Sequence, residues 1–150
     1  MSYWLMKSEP DVFSIDNLKR KKHEVWDGVR NYQARNYLRS MQVGDEILFY
    51  HSSCAVPAVV GIATIRRAAF ADPTQFNPAS EYYDAGAKAD DPRWSAVEVG
   101  FVRKFKTPLP LDVLKTLPEL SDLALVKRGN RLSVMPVTNA QWTAIVALAQ

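Results

Sequence analysis

The sequence predicts an α+β fold in which short helices flank a mixed or largely antiparallel sheet curled into a small barrel. Strand-like runs of β-branched and aromatic residues alternate with short helical segments and loops. The chain lacks the regular strand–helix alternation and glycine-rich first turn of a doubly wound nucleotide fold. Its 150 residues are 47% hydrophobic, enough for a core without disulfides or metals. Residues 1–150 are therefore interpreted as one domain.

The first third of the chain is predicted to contain one strand and two helices. Residues 3–7 (YWLMK) alternate aromatic and aliphatic side chains, which is typical of a buried strand. Ser14 is a predicted N-cap of a short helix, and Asn31 is a predicted N-cap of a longer one. The second helix would place on one face Ala34, Tyr37, Leu38 and Met41. The mixed segment 25–30 (VWDGVR) between them is predicted to be a loop.

Three strands and a long excursion are predicted for the middle of the chain. Residues 46–52 (EILFYHS) and 58–70 (AVVGIATIRRAAF) have the composition of strands, and 95–105 (SAVEVGFVRKF) alternates as a half-buried strand does. Residues 71–94 contain three prolines, one glycine and few aliphatic residues, so they are predicted to form a long loop.

The last third is predicted to contain a short helix, a short strand and a final helix. The helix over 111–117 (LDVLKTL) follows a proline, and the strand over 131–137 (RLSVMPV) carries Pro136 near its end. Thr138 with Gln141 forms a predicted capping box for the final helix, QWTAIVALAQ.

Cysteine content and the N-terminal sequence bear on the location of the chain. The single cysteine, Cys54, allows no internal disulfide and favours a reducing compartment. The opening residues MSYWLMKSEP lack the pattern of a signal peptide, and no apolar run approaches the length of a bilayer span. We therefore expect no membrane association and a cytoplasmic location, or a nuclear one in a eukaryotic cell.

Charge is distributed unevenly along the chain. Lys and Arg number 19 against 16 Asp and Glu, a formal charge of +3. Acidic residues gather within 72–91, whereas basic residues gather at 19–23 (KRKKH), at three arginines between 30 and 39, and at 127–131 (KRGNR). This pattern suits one basic face around a site, and a solvated surface explains it equally well.

No catalytic or metal-binding arrangement is evident. His51 and Cys54 are close in sequence, but three residues at a strand end point to different faces and no orienting group accompanies them. Two histidines and one cysteine without ligand spacing do not predict a zinc site. Phosphate-loop and dinucleotide motifs are absent, so no cofactor is expected. Glu9 and Asp27 are the best candidates for paired carboxylates, at a separation that the sequence does not give.

The segment that begins at Trp26 combines three features of a binding loop. An indole face can stack on a nucleobase, for roughly 1–3 kcal/mol. Gly28 allows the backbone to approach a ligand, and a helix starting near Asn31 offers free N–H donors. The alternative is that Trp26 is a core residue or part of a hydrophobic staple.

Polar clusters follow the ends of three predicted strands. Lys7, Ser8 and Glu9 follow the first strand. Tyr50, His51 and Ser52 end the second, and Arg131 and Ser133 lie in the first residues of the last. If these strand ends converge, their side chains would surround a site. Ordinary surface polarity is the alternative.

The ordered motifs YWLMKSEPDVFSIDNL, VWDGVRNYQARNYLRSMQVGDEILFYHSSC, VVGIATI, RWSAVEVGFVRKF and RGNRLSVMPVTNAQW resemble the EVE domain family over essentially all of the chain. This resemblance implies a PUA-like fold, similar to the readers of methylated adenine in RNA. It also implies non-enzymatic binding of modified bases, most often modified cytosine in DNA with RNA possible, by flipping the base into a pocket.

The resemblance also assigns roles to individual residues. Trp26 matches the aromatic wall, and Ser8 and Asn31 match polar positions around the base edge. Glu9 is added from its position next to Ser8 at the strand end, where it would present a carboxylate to the same edge. Tyr50 and Ser52 match the facing wall, with His51 beside them and Ser133 near the rim. Lys7, Arg30 and Arg131 are predicted backbone contacts, and Arg30 is equally a structural partner for Asp27. An enzyme acting on a nucleoside, or an interaction module that docks a basic partner on the acidic 72–91 excursion, are the alternative functions.

Overall fold

Six strands form one mixed sheet. The computed structural model describes residues 1–149, in which the strands are β1 (Tyr3–Ser8), β2 (His23–Trp26), β3 (Glu46–His51), β4 (Ala58–Ala71), β5 (Ser95–Pro110) and β6 (Val134–Val137). Their order across the sheet is β2-β5-β4-β3-β1-β6. Strands β1 and β3 are parallel, and the other neighbouring pairs are antiparallel. The predicted α+β class with a mixed sheet is confirmed.

The sheet curls without closing into a barrel. Within residues 1–149 the end strands β2 and β6 do not pair with each other. Several register shifts interrupt the pairing of the long strands β4 and β5, and such bulges bend a sheet. In a flat sheet β2 and β3 would lie about 14 Å apart, three strand spacings. The ring centroids of Trp26 on β2 and Phe49 on β3 are 5.6 Å apart, which requires the curl.

The helices begin where the caps predict. They are α1 (Ile15–Lys21), α2 (Tyr32–Ser40), α3 (Leu111–Leu114) and α4 (Asn139–Leu148). Ser14 and Thr138 form capping boxes at α1 and α4, and the Asn31 Oδ1 accepts the Ala34 amide 2.9 Å away at α2. Helix α3 is shorter than the predicted 111–117 segment, and the predicted final residue of α4, Gln150, lies outside the described residues.

Two predicted boundaries need correction. Val25 and Trp26 were expected in a loop but belong to β2, where they pair with Glu98 and Val97. The free edge of β5 offers unpaired backbone donors and acceptors, which this short mixed segment satisfies despite its weak strand pattern. Strand β6 begins at Val134 rather than at 131. The excursion predicted at 71–94 holds one short 3-10 helix, Pro73–Phe76, outside the ends of β4 and β5.

The helices pack their apolar faces on this sheet. Leu18 of α1, Leu38 of α2 and Ile145 of α4 are fully buried together with Leu5 and Phe49 of the sheet. This packing fixes the starts of α1 and α2 beside the C-terminal ends of β1 and β3. No helix within residues 1–149 is long and apolar enough to cross a membrane.

Candidate functional site

A cavity of about 970 Å³ opens at the C-terminal ends of β1 and β3. Parallel pairing places Ser8 opposite His51, so the polar residues after the two strands meet at one edge of the sheet. The Ser52 amide donates to the Ser8 carbonyl over 3.0 Å, and the Lys7 amide donates to the Ser133 carbonyl over 2.9 Å. The three polar clusters that the sequence places at separate strand ends therefore converge.

All but two of the predicted site residues line this cavity. They are Lys7, Ser8, Glu9, Trp26, Arg30, Asn31, Ser52, Arg131 and Ser133. Several separate segments form the cavity wall: the strand ends, the loop before α2 and the 71–94 excursion.

Tyr50 and His51 do not lie on the cavity wall, which corrects their assignment. Strand β3 is buried on both faces from Ile47 to Tyr50, and the tyrosine is 3% exposed. Burial, followed by the charge of Cys54, raises the pKa of Tyr50 to about 12. The His51 Nε2 accepts the Ile15 amide 3.1 Å away, so this ring caps the start of α1.

The role of His51 as a cap also bears on the Cys–His alternative. The ring nitrogen that accepts the Ile15 amide is not free to take a proton from a thiol. Burial lowers the pKa of His51, which keeps the imidazole neutral and suited to accept this hydrogen bond. Within residues 1–149 no group of three or more His, Cys, Asp or Glu side chains is arranged to hold a metal ion.

Trp26 is half-buried. It fits both interpretations of the sequence, because it contacts the core and also lines the cavity. Its ring meets Phe49 edge to face at an interplanar angle of 80° and packs against the core. The same side chain lines the cavity. The core contact holds the indole in place, and the exposed part of the ring is available to a planar ligand.

The loop after Trp26 is shaped by Gly28, which has a φ of +80°. A Cβ atom at this position would lie 2.7 Å from two ring atoms of Tyr82, so the tyrosine packs directly on the glycine backbone. The Gly28 amide donates to the Asp72 Oδ2 over 2.8 Å. Only glycine combines this backbone conformation with so close an approach.

Arg30 connects the same loop to the excursion. Its guanidinium donates to the Asp72 Oδ2 at 3.0 Å, to the Thr74 hydroxyl at 3.0 Å and to the Tyr82 carbonyl at 2.8 and 3.2 Å. The remaining donor reaches the Val29 carbonyl. The ion pair is thus with Asp72, not with Asp27. Because all five N–H groups are engaged, the arginine has a structural role, and a phosphate contact would have to displace one of these bonds.

Asp72 accepts from the loop and from its own turn. The side chain is fully buried and receives hydrogen bonds from Gly28, Arg30 and both the amide and hydroxyl of Thr74. Burial by itself would raise the pKa of this carboxyl, but these hydrogen bonds outweigh it and lower the pKa. The Asp72 carboxylate therefore joins the Trp26 loop to the excursion as a charged group.

Sequence reasoning missed the contribution of the excursion to the wall. Glu81 and Tyr82 line the cavity, as do Phe13 and Asn130 from other segments. Two adjacent tyrosines, at 82 and 83, stand in a loop that is poor in aliphatic residues, and they were the only indication that the loop packs against the rest of the protein. Without periodicity, that signal could not be assigned to the Trp26 loop.

Four carboxylates line the cavity, and one of them, Glu24, is paired with Lys21 at 2.9 Å. Glu9, Glu24, Asp27 and Glu81 line it, and within residues 1–149 the Asp27 carboxyl has no side-chain hydrogen bond or ion pair. Desolvation, followed by the negative charges of Asp72 and Glu24, raises the pKa of Asp27. A carboxylate accepts hydrogen bonds only, so this wall suits a ligand edge with N–H donors.

The model of the EVE domain family matches residues 2–148. The chain belongs to the EVE domain family. Thymocyte nuclear protein 1 of the mouse is 44% identical over 99% of this chain and 74% of its own length. A Pseudomonas putida protein of known structure is 57% identical with a TM-score of 0.98, covering 99% of this chain and all of that one. Human THYN1, solved in complex with DNA that contains 5-methylcytosine, is 42% identical with a TM-score of 0.94, covering 100% and 98%. These neighbours support the PUA-like α+β fold.

Proposed function

We propose that this chain binds DNA containing a modified base, with the base flipped into the 970 Å³ cavity, and that it catalyses no reaction. The observation that carries the proposal is the half-buried Trp26 ring in the wall of a cavity large enough for a base. Support comes from the human family member, which was crystallised with DNA containing 5-methylcytosine. We propose a modified cytosine as the ligand, and RNA as the alternative polymer.

Stacking and hydrogen bonding would offset the cost of flipping. Extruding a base costs a few kcal/mol. Stacking on an indole returns roughly 1–3 kcal/mol, and a carboxylate that accepts from the cytosine N4 amino group contributes about 1–3 kcal/mol of discrimination. Asp27 is our candidate for this acceptor, since it is adjacent to Trp26 and its carboxyl is unpaired in the described residues.

The other lining residues have proposed roles that follow from their free atoms. The Asn31 carbonyl oxygen is used by the α2 cap, which leaves its NH₂ group to donate to the N3 or O2 of cytosine. The Ser8 hydroxyl donates to the Phe13 carbonyl, which leaves Ser8 as an acceptor. We propose that Lys7 and Arg131 contact phosphates at the rim, with Ser52, Ser133 and Glu9 between them and the base.

Replacement of Trp26 tests the proposal. Trp26→Ala is expected to weaken binding to a duplex with one 5-methylcytosine by about 5- to 150-fold, the equivalent of the stacking energy, while Trp26→Phe retains most of the affinity. Tyr83→Ala is the matched control, because Tyr83 is an exposed aromatic of the excursion that does not line the cavity. Fluorescence anisotropy measures the affinities, and thermal unfolding verifies the fold.

The same assay tests which base the cavity prefers. Replacing 5-methylcytosine by thymine keeps the methyl group but exchanges the N4 donor for an O4 acceptor, so binding should be lost. Unmodified cytosine should bind about tenfold more weakly at most, the contribution of one methyl group. Equal binding of wild-type and Trp26→Ala protein to all duplexes, with both folded, would refute the proposed function. An RNA strand of the same sequence tests the alternative polymer.

A further inference from the structure

A second, basic groove lies beside the first cavity. It has a volume of about 390 Å³ and is formed by α2 and the last part of the excursion, with Tyr32, Arg35, Arg39, Lys88 and Arg93 in its walls. Asn31 lines the first cavity and the next residue, Tyr32, lines the groove. The two depressions are therefore neighbours on either side of the start of α2.

Two arginines converge in this groove. The Arg35 Nη1 donates to the Arg93 carbonyl over 3.0 Å, and the Arg39 Nη2 donates to the same oxygen over 3.3 Å. Within residues 1–149 neither guanidinium forms an ion pair with a carboxylate. Two guanidinium groups held this close together without an ion-pair partner form a site that favours an anion.

The charges around Arg35 and Arg39 also favour an anion in the groove. Desolvation, followed by repulsion from Arg35, lowers the pKa of Arg39, and Asp91 acts weakly in the opposite direction. Asp91 is the carboxylate in the groove wall, and Arg93 is already paired with Asp84 at 3.0 Å. Arg35, Arg39 and Lys88 thus leave the groove with a net positive charge.

A stacked column of side chains connects the groove to the first cavity. The Arg30 guanidinium lies 5.5 Å from the Tyr82 ring centroid and 5.3 Å from that of Trp94. Trp94 stacks on Tyr32 at 4.9 Å, and the Arg35 guanidinium lies 4.8 Å from the Tyr32 centroid. Tyr82 belongs to the cavity wall, so the position of Arg35 is fixed relative to the proposed base site.

We propose that this groove binds a backbone phosphate of a nucleotide next to the flipped base, with Arg35 and Arg39 as its ligands. The inference rests on the proposed function and adds the path of the strand. Arg35 lies four residues beyond Asn31, about 6 Å along the helix, which places its guanidinium on the side where a phosphate flanking the flipped base would lie. Tyr32, which is 54% exposed, lies between these two residues in sequence and lines the groove.

The test combines protein variants with a neutral DNA linkage. Arg35→Gln/Arg39→Gln removes both charges, and Arg35→Lys/Arg39→Lys keeps them. Arg20→Gln is the matched control, an exposed helical arginine outside both depressions that makes no ion pair in the described residues. Affinity is measured for methylated and unmethylated duplexes over a range of salt, with and without a methylphosphonate at each linkage near the modified base.

The glutamine double variant should bind both duplexes more weakly than wild type, and by the same factor. This factor is up to about 25-fold if each exposed arginine–phosphate ion pair contributes up to fivefold. The ratio of methylated to unmethylated affinity should stay constant, and the slope of log K against log salt should fall by about 0.9 for one phosphate. The lysine pair and Arg20→Gln should keep the wild-type slope. A methylphosphonate at one position should lower the DNA affinity of wild type and leave the affinity of the glutamine double variant unchanged.

Each contrary result points to a different failure. If the glutamine pair retains the wild-type affinity and slope, the phosphate groove is refuted while the reader function stands. If inorganic phosphate competes beyond its ionic strength but no methylphosphonate position has an effect, the groove is a free-anion site and the proposal is wrong. If the glutamine double variant binds an acidic peptide more weakly than wild type but keeps the wild-type affinity for DNA, the groove binds a protein and the proposal is wrong. If wild type does not bind methylated DNA, the reader function fails first.

Discussion

Asp72→Asn would separate the Trp26 loop from the excursion with almost no change in shape. Asp72 is fully buried and accepts from the Gly28 amide, from Arg30 and from Thr74. An asparagine offers one acceptor oxygen instead of two, and it leaves the charge of Arg30, whose side chain is 22% exposed, without its ion-pair partner. The variant should therefore be destabilised and should bind methylated DNA more weakly.

The magnitude follows from the burial of the pair. Removing one partner of a buried ion pair costs about 3–5 kcal/mol, because the other charge stays in a poorly solvated place. Since Arg30 keeps some solvent contact, we expect the lower part of this range. For a chain of 150 residues each kcal/mol shifts the Tm by about 2–4 °C, so a loss of about 6–12 °C is expected.

The pH dependence gives an independent check. The pKa of Asp72 is lower in the folded chain than in the unfolded one, where it is about 3.9. Its contribution is thus fully present above the unfolded pKa and is lost as pH falls through the folded pKa. The Tm difference between wild type and Asp72→Asn should be largest near neutral pH and should shrink below about pH 4.

Differential scanning calorimetry at several pH values measures this directly. Asp90→Asn is the control, since Asp90 is an exposed acid of the same excursion that makes no ion pair in the part of the chain described. A Tm change of less than about 2 °C at neutral pH, or a difference that does not shrink in acid, would show that Asp72 does not hold the loop through its charge.

Two further changes address the cavity. Gly28→Ala should lower DNA affinity more than tenfold with a Tm loss of several degrees, because its Cβ would meet the Tyr82 ring at 2.7 Å in a left-handed backbone; unchanged anisotropy titrations would contradict this. Asp27→Asn should weaken binding to 5-methylcytosine about 5- to 150-fold and narrow its preference over thymine. Because the pKa of Asp27 is raised, wild-type affinity should fall as the carboxyl protonates in acid, and the variant should lack this decline in titrations from pH 4 to 8.

The sequence predicted the elements of the fold better than their edges. Caps such as Ser14, Asn31 and Thr138 act within three residues, so local chemistry locates the helix starts. Strand β2 was missed because its pattern is weak and its formation depends on the edge of β5, more than 70 residues away in sequence. Curling without closure is likewise set by bulges in β4 and β5 that no local motif marks.

The residue types in the cavity lining were expected from the sequence, whereas the tertiary detail of the lining was not. Ser8, Trp26 and Asn31 were identified from motifs, and β1–β3 pairing explains why two of the clusters meet. Tyr50 was misassigned because β3 is buried on both faces from Ile47 to Tyr50, so alternation along the strand does not show which side chains reach the cavity. Tyr82 was missed because its partner, Gly28, is distant in sequence.

The acidic excursion has a use within the molecule, which bears on the idea that it docks a basic partner. Asp72 is taken up by Arg30, and Asp84 accepts from Arg93 at 3.0 Å and from the Trp94 indole at 2.8 Å. These bonds hold Tyr82 against Gly28 and Trp94 against Tyr32, the contacts that connect the cavity to the basic groove. A partner that competed for the two carboxylates would have to break the wall of the proposed base site. The charges of Asp72 and Asp84 are therefore better explained by shaping that site than by attracting a protein, whereas Asp90 and Asp91 are exposed.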